Sequence, residues 1–178
     1  MWAYVQNNQV TQVYQNPKAI TIGDVNYPAN IFTLWSASEL EAISIYIVVE
    51  DNSNYEDPTY YINTPQSFVY ANGVVTASYG PATPKDLDDL KSNAVSAQKQ
   101  TAYGLLQPSD WYVVRQSENG VAIPADWDTW RQSVRTTCES QVAMINACTT
   151  VPELQALYVY DPDTGTRPLG DFPPAPSS

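Results

Sequence analysis

At Gly80-Pro-Ala-Thr-Pro84 the chain changes its periodicity, and this break constrains the fold more than any other feature. Apolar residues before it recur in short β-branched and aromatic runs, and after it they recur at helical spacing. Trp2–Gln6 and Gln9–Tyr14 flank Asn7-Asn8, a pair that tolerates the positive φ of a tight hairpin turn. Ser67–Ala71 and Val74–Tyr79 flank Asn72-Gly73, the strongest short-range hairpin signal a sequence offers. Ala19–Ile22 is a further β-prone piece, Asp24–Trp35 reads as loop around Pro28, and Ile45–Val49 is a strand. Ser36-Ala-Ser-Glu39 is a capping box that predicts one short helix over Ala37–Ile43.

Beyond the break, Leu87, Leu90, Ala94, Ala97, Thr101 and Leu105 are spaced 3, 4, 3, 4 and 4, which predicts a helix from Asp86 to Tyr103. Asp86, Asp88 and Asp89 in its first turn suit the helix dipole. Gln107-Pro-Ser-Asp110 is read as the break, Trp111–Gln116 as a short extended run and Glu118-Asn-Gly120 as a turn. Pro124 opens a second helix reaching Ala147, with a stripe at Trp127, Trp130, Val134, Cys138, Val142, Ile145 and Cys148. Thr150-Val-Pro-Glu153 caps a stub ending near Leu157, and the Pro-rich remainder is read as a flexible arm. The expected fold class is α+β. A β-rich head (1–80) and a linker (81–84) precede an antiparallel helical pair joined by a tight aromatic loop (85–157), and an extended Pro-rich C-terminal arm (158–178) follows.

Composition excludes several chemistries. No histidine occurs among the 178 residues, which removes His triads, His metal sites and the commonest neutral-pH base. Eight basic against 19 acidic residues leave a net charge of −11, which argues against partners rich in phosphate or anionic lipid. Neither nucleic acid nor membrane is expected as a partner, and no export signal or 18-residue apolar span is found. Cys138 and Cys148 lie ten residues apart in one helix, about 15 Å of axial rise, too far for a bridge. They read as reduced packing residues in a chain made and used in a reducing, soluble setting. No cofactor is expected.

Few constellations carry chemistry. Asp161-x-Asp163-x-Gly165 resembles the start of a calcium loop, but its spacing is one residue short and a plain turn is favoured. Glu118, Asp126 and Asp128 could supply paired carboxylates, yet nothing in their spacing selects a pair, so the chain is expected not to be an enzyme. The 13 tyrosines fit either half-buried strands or contact surfaces. Strand burial is favoured for Tyr4, Tyr14, Tyr46 and Tyr70. Tyr55, Tyr60 and Tyr61, beside Asp51, Glu56 and Asp57, are the interface candidates. In the segment from Tyr103 to Arg135, Ser109 or Asp110 can cap local amides. Trp111 with Leu105 and Leu106 is expected to fill the space where the two helices meet. Arg115 can pair with Glu118, and Asp128 with Arg131 or Arg135. Trp127 and Trp130, one turn apart, anchor either the hairpin or a partner, with core packing favoured.

The same segment carries a resemblance. Leu105-Leu106-x-x-Ser-Asp110-Trp111, then Arg115-x-x-Glu118-x-Gly120-x-x-Ile-Pro124, then Trp130-Arg131-x-x-Val-Arg135 resembles a helical module of bacteriophage tail proteins. Such modules recur in small tail-fibre-associated proteins and in those labelled tail fibre assembly or tail assembly chaperone. Met1-Trp-Ala-Tyr-Val and Tyr27-Pro-Ala-Asn-Ile-Phe-Thr-Leu-Trp35-Ser-x-x-Glu39-Leu-x-Ala-Ile43 are similar to the start of many phage tail proteins. Where the family carries a Tyr before the Arg of its last motif, this chain has Trp130. The resemblance implies a non-enzymatic adaptor in the virion tail, assembled in the host cytoplasm, whose partners are other tail or tail-fibre proteins, with a homo-oligomer possible. An assembly chaperone absent from the particle is the alternative it implies, and a small carbohydrate-binding module is a further class compatible with the tyrosines.

Overall fold

Both asparagine turns close hairpins in the computed structural model, which describes residues 1–177. Asn7, Asn8 and Asn72 take φ of 51°, 60° and 52°, and Gly73 takes 80°, the left-handed values that two-residue hairpin turns demand. The chain divides into one unit from Met1 to Thr83 and a second beginning at Pro84. Strands dominate the first and helices the second, so the protein is mixed α and β.

The first unit is built on β1 (Trp2–Gln6), β2 (Gln9–Tyr14), β3 (Ile20–Ile22), β4 (Val25–Tyr27), β5 (Ile45–Asp51), β6 (Tyr61–Ile62), β7 (Ser67–Ala71) and β8 (Val74–Ser78). Five of these form one sheet in the order β2-β1-β5-β8-β7. All neighbours are antiparallel except β5 and β8, which run parallel with Val48 opposite Val75. The outer strands β2 and β7 approach each other across a shallow cleft lined by Val10, Phe68 and Tyr70, so the sheet curls into a half-barrel. Alternation along the strands then separates two apolar layers. Ala3, Val5, Val48, Val75 and Ala77 fill the concave side, with Phe68, Tyr46 and Tyr70 packed against them. Tyr14, Ile20, Ile31, Phe32, Leu40 and Ile45 form the other layer, with Trp2 and Tyr4 against it.

That second layer is covered by the β3–β4 hairpin and two short helices, α1 (Ile31–Leu34) and α2 (Ala37–Ala42). Only α2 was legible in the sequence. Its capping box is formed: Glu39 N donates to Ser36 Oγ, and Glu39 Oε2 accepts from Ser36 N at 2.7 Å. The stretch read as loop, Asp24–Trp35, instead contains β4 and α1. One turn of helix shows no period to read, and α1 exists because Ile31 and Phe32 are buried. Phe32 lies 5.0 Å from the Trp2 ring and 5.4 Å from that of Tyr14.

The second unit holds α3 (Leu87–Leu106), α4 (Asp110–Asn119), α5 (Ala125–Ala147) and α6 (Val151–Ala156). α3 and α5 are antiparallel: Lys91 near the start of α3 donates to the carbonyls of Asn146 and Cys148, while Ala102 near its end packs with Trp130. The buried stripe of α3 is not the one expected. Ala97 and Thr101 are exposed, and Gln98 and Ala102 are buried in their place. Leu87, Lys91, Ala94, Gln98, Ala102 and Leu105 have the same mean spacing as the expected stripe, so periodicity alone does not choose between the two. The α5 stripe is half-buried or buried throughout, and it includes two polar residues, Arg131 and Gln141. Cys138 and Cys148 are free thiols, and burial pushes both above the ordinary thiol range.

Two expectations for this unit are corrected. Trp111–Gln116 is not extended but lies inside α4, which ends at Gly120 with φ 68°. The connection between α3 and α5 is therefore a helix and not a tight loop. Pro108 sits in a single 3₁₀ turn, where a missing amide costs nothing, and the chain bends there without leaving helical geometry. Nor is the Pro-rich C-terminal segment a free arm. Leu169 is 3% exposed, and its amide donates to Leu157 O. Gly170 O accepts from Gln141 Nε2, and Pro173 O accepts from Trp130 Nε1. Prolines remove regular structure but not apolar side chains, and Leu169 and Phe172 supply the burial that holds the segment down.

The cap of α6 makes this unit sensitive to acid. Glu153 Oε2 accepts from Thr149 N, Thr149 Oγ1 and Thr150 N, and these bonds hold its carboxyl below the ordinary 4.5. A carboxyl depressed by folding stabilises the fold fully above its unfolded value, and that support is lost as pH falls through the lower folded one. The protection of the Leu154 amide, which donates to Thr150 O, should therefore fall as pH drops below the ordinary carboxylate range, once the intrinsic pH dependence of exchange is divided out. Glu153→Gln should remove most of that dependence.

Candidate functional site

Four helical aromatic rings form a contiguous ladder where α4 meets the start of α5. Trp130 and Trp127 meet edge to face at 5.4 Å, Tyr112 lies 5.7 Å from Trp127, and Trp111 stacks on Tyr112 at 3.9 Å. Exposure rises along the ladder, from Trp130 at 6% to Trp111 at 52%. Arg115, one turn after Trp111 on α4, places its guanidinium 4.9 Å from the Trp111 ring and 5.2 Å from Tyr112. Such stacking suits the planar, weakly hydrated Arg cation.

Arg131 fixes the ladder's base. It is 4% exposed, and one Nη1 donates to Leu106 O at 2.9 Å and to Ser109 Oγ. Its Nη2 pairs with Asp110 Oδ1 at 2.7 Å. Ser109 Oγ in turn donates to Leu106 O. The guanidinium thus ties the end of α3, the 3₁₀ turn and the start of α4 to α5, and that tie explains why the aromatic run is helical.

Structure brings Leu105, Leu106, Trp111, Arg115, Trp127, Trp130 and Arg131 into one unit but gives them different tasks. Leu105 and Leu106 pack on the Ala102–Trp130–Val134 cluster as expected. Trp111 does not fill the space between helices; it faces solvent, because α4 turns that side of the helix outward. Arg131 pairs with Asp110 and not with Asp128, which accepts instead from Gln132. Arg115 sits over aromatic rings. Tyr112 was missed, although the i, i+4 spacing of Trp111 and Arg115 becomes informative once the segment is helical.

Tyr55, Tyr60 and Tyr61 belong to the other unit. Tyr55 is exposed, with its ring 5.0 Å from that of Tyr79, whereas Tyr60 and Tyr61 are half-buried and donate their amides to Asp57 O. The larger surface feature there lies on β5, β7 and β8. Ile45, Ile47 and Val49 share one face, and only Ile45 lies under the helical cover. Ile47 and Val49 are 53% and 52% exposed, and the register places Val49, Thr76 and Val69 in one row and Ile47, Val74 and Ala71 in the next. Val69 and Val74 are exposed as well. Tyr70 Oη donates to Tyr46 Oη on the opposite, concave side, and this bond raises the Tyr46 hydroxyl above its usual range.

Asp161–Gly165 is a plain turn, with Asp161 Oδ1 accepting from the amides of Asp163 and Thr164. Among the described residues no cluster of three potential metal ligands occurs, and no helix is long and apolar enough to cross a membrane. No protein-family model, curated protein or solved structure matches the chain.

Proposed function

We propose that this chain is a contact protein of a bacteriophage tail, an adaptor retained in the virion that holds tail or tail-fibre proteins without making or breaking a bond. The observation that carries the contact role is the bare half of the β5–β8–β7 face. A β-sheet face this apolar is normally covered, and the cover stops at Ile45 while Ile47, Val49, Val69 and Val74 continue it into solvent. Residues 1–80 carry seven acids and only Lys18 as a base, so the surface that docks there is apolar with a basic rim. The tail assignment rests on the sequence resemblance in Leu105–Arg135 and in the first 43 residues.

Mass spectrometry of purified particles tests the proposal. An adaptor is present at a fixed copy number, and its incorporation falls when Val49→Asp and Val69→Asp place charge on the sheet face. Absence from particles made in cells that contain the protein would favour the assembly chaperone. Undiminished incorporation of the doubly charged variant would remove the sheet face as the docking surface.

A further inference from the structure

The aromatic ladder already shows what it binds, because the chain's own tail occupies its inner end. Phe172 packs against the Ala102–Trp130–Val134 cluster, and the Trp130 indole N–H donates to Pro173 O at 3.0 Å. The tail runs opposite to α5: Gly170 meets Gln141, and three residues later Pro173 meets Trp130. Beyond Trp130 the ladder continues for three more rings and ends at exposed Trp111.

We propose that this ladder is a docking track for a proline-rich segment of another polypeptide in the polyproline II conformation, received at its outer end by half-buried Trp127 and Tyr112 and exposed Trp111. Three physical arguments select that occupant. Proline rings stack on aromatic rings and arrive with φ already fixed, so little chain entropy is lost on docking. A polyproline strand has unpaired carbonyls, the acceptors an indole N–H needs, and Trp130 shows that pairing within the chain. Arg115 supplies the third. Among the described residues no carboxylate pairs with it, and its Nη2 makes one long bond, 3.4 Å, to Ala122 O. A carboxylate flanking the proline run would satisfy this cation at the outer end. The inference uses only the geometry of the helical unit and stands whether or not the protein belongs to a tail.

The test uses the full chain labelled with ¹⁵N, whose five tryptophans give five indole N–H resonances. It is titrated with a synthetic Gly-Asp-Phe-Pro-Pro-Ala-Pro-Ser peptide and with a version in which every proline is alanine. The Trp111 and Trp127 resonances should shift saturably with the proline peptide and bind the alanine peptide about tenfold more weakly. Trp111→Ala should weaken binding by a similar factor with an unchanged far-UV circular dichroism spectrum, since the residue is exposed. The same shifts on concentrating the protein alone would support the track and name a second copy's tail as its source. Shifts confined to Trp130, an equal response to both peptides, or saturation of Trp111 by maltohexaose but not by the proline peptide would each overturn the proposal.

Discussion

Replacing Arg131 by alanine should destabilise the helical unit by about 3 kcal/mol, although the ion pair it removes is half in water. The Asp110 carboxylate is 50% exposed and returns to solvent at little cost once its partner is gone. Leu106 O and Ser109 Oγ are placed differently. Ser109 is 1% exposed, and losing the guanidinium leaves its buried hydroxyl and the part-buried Leu106 carbonyl with only their bond to each other while opening a cavity. Asp110→Ala should therefore cost only about 1 kcal/mol or less. Arg131→Lys should fall between the two, because an ammonium cannot reach three acceptors with one planar fork. Denaturant melts of the three variants check this ordering. Equal losses for Arg131→Ala and Asp110→Ala would show that the ion pair, and not the buried acceptors, holds the corner.

Trp130→Ala should have a second large effect, about 4 kcal/mol, from an aromatic side chain 6% exposed at the centre of the Ala102–Val134 cluster. Trp130→Phe separates packing from hydrogen bonding. It keeps most of the ring volume but deletes the donor to Pro173 O, for a loss of about 1 kcal/mol. The informative readout is exchange of the Leu169 amide, bonded to Leu157 O. In Trp130→Phe it should accelerate while the amides of α3 and α5 keep their protection. Parallel acceleration in all three places would mean that the tail is part of the helical core and not a separately releasable segment.

How much of this was legible in the residues depended on whether the determining interactions were local. Asn7-Asn8, Asn72-Gly73, Ser36–Glu39 and Thr150–Glu153 act within a few residues, and each forms the turn or cap expected of it. α4 was misread because Val113 and Val114 favour extended backbone and Pro108 looks like a full stop. The helix is held by Arg131, some twenty residues downstream, and by Arg115 lying over Trp111. α3 was placed well, but its buried face was misassigned because apolar Ala97 was preferred over polar Gln98. The candidate site was legible as a set of residue types and not as an arrangement. Trp111 and Arg115 could meet only on a helix, and Phe172 and Pro173 had no sequence signal tying them to Trp130. The apolar face at Ile47 and Val49 was read as an ordinary strand, since alternation alone cannot say where a sheet's cover ends.

The distance along the chain between Trp130 and its acceptor has a consequence for biosynthesis. Forty-three residues separate the indole from Pro173. While residues 170–173 are still inside the ribosome, α3 and α5 can pair, but their aromatic flank stays wet and Gln141 has no carbonyl to meet. The helical unit is therefore sealed only after Pro173 has left the ribosome exit tunnel. Until then a nascent chain exposes the rings that a mature one keeps partly covered, and this is the interval in which another protein could most easily claim them.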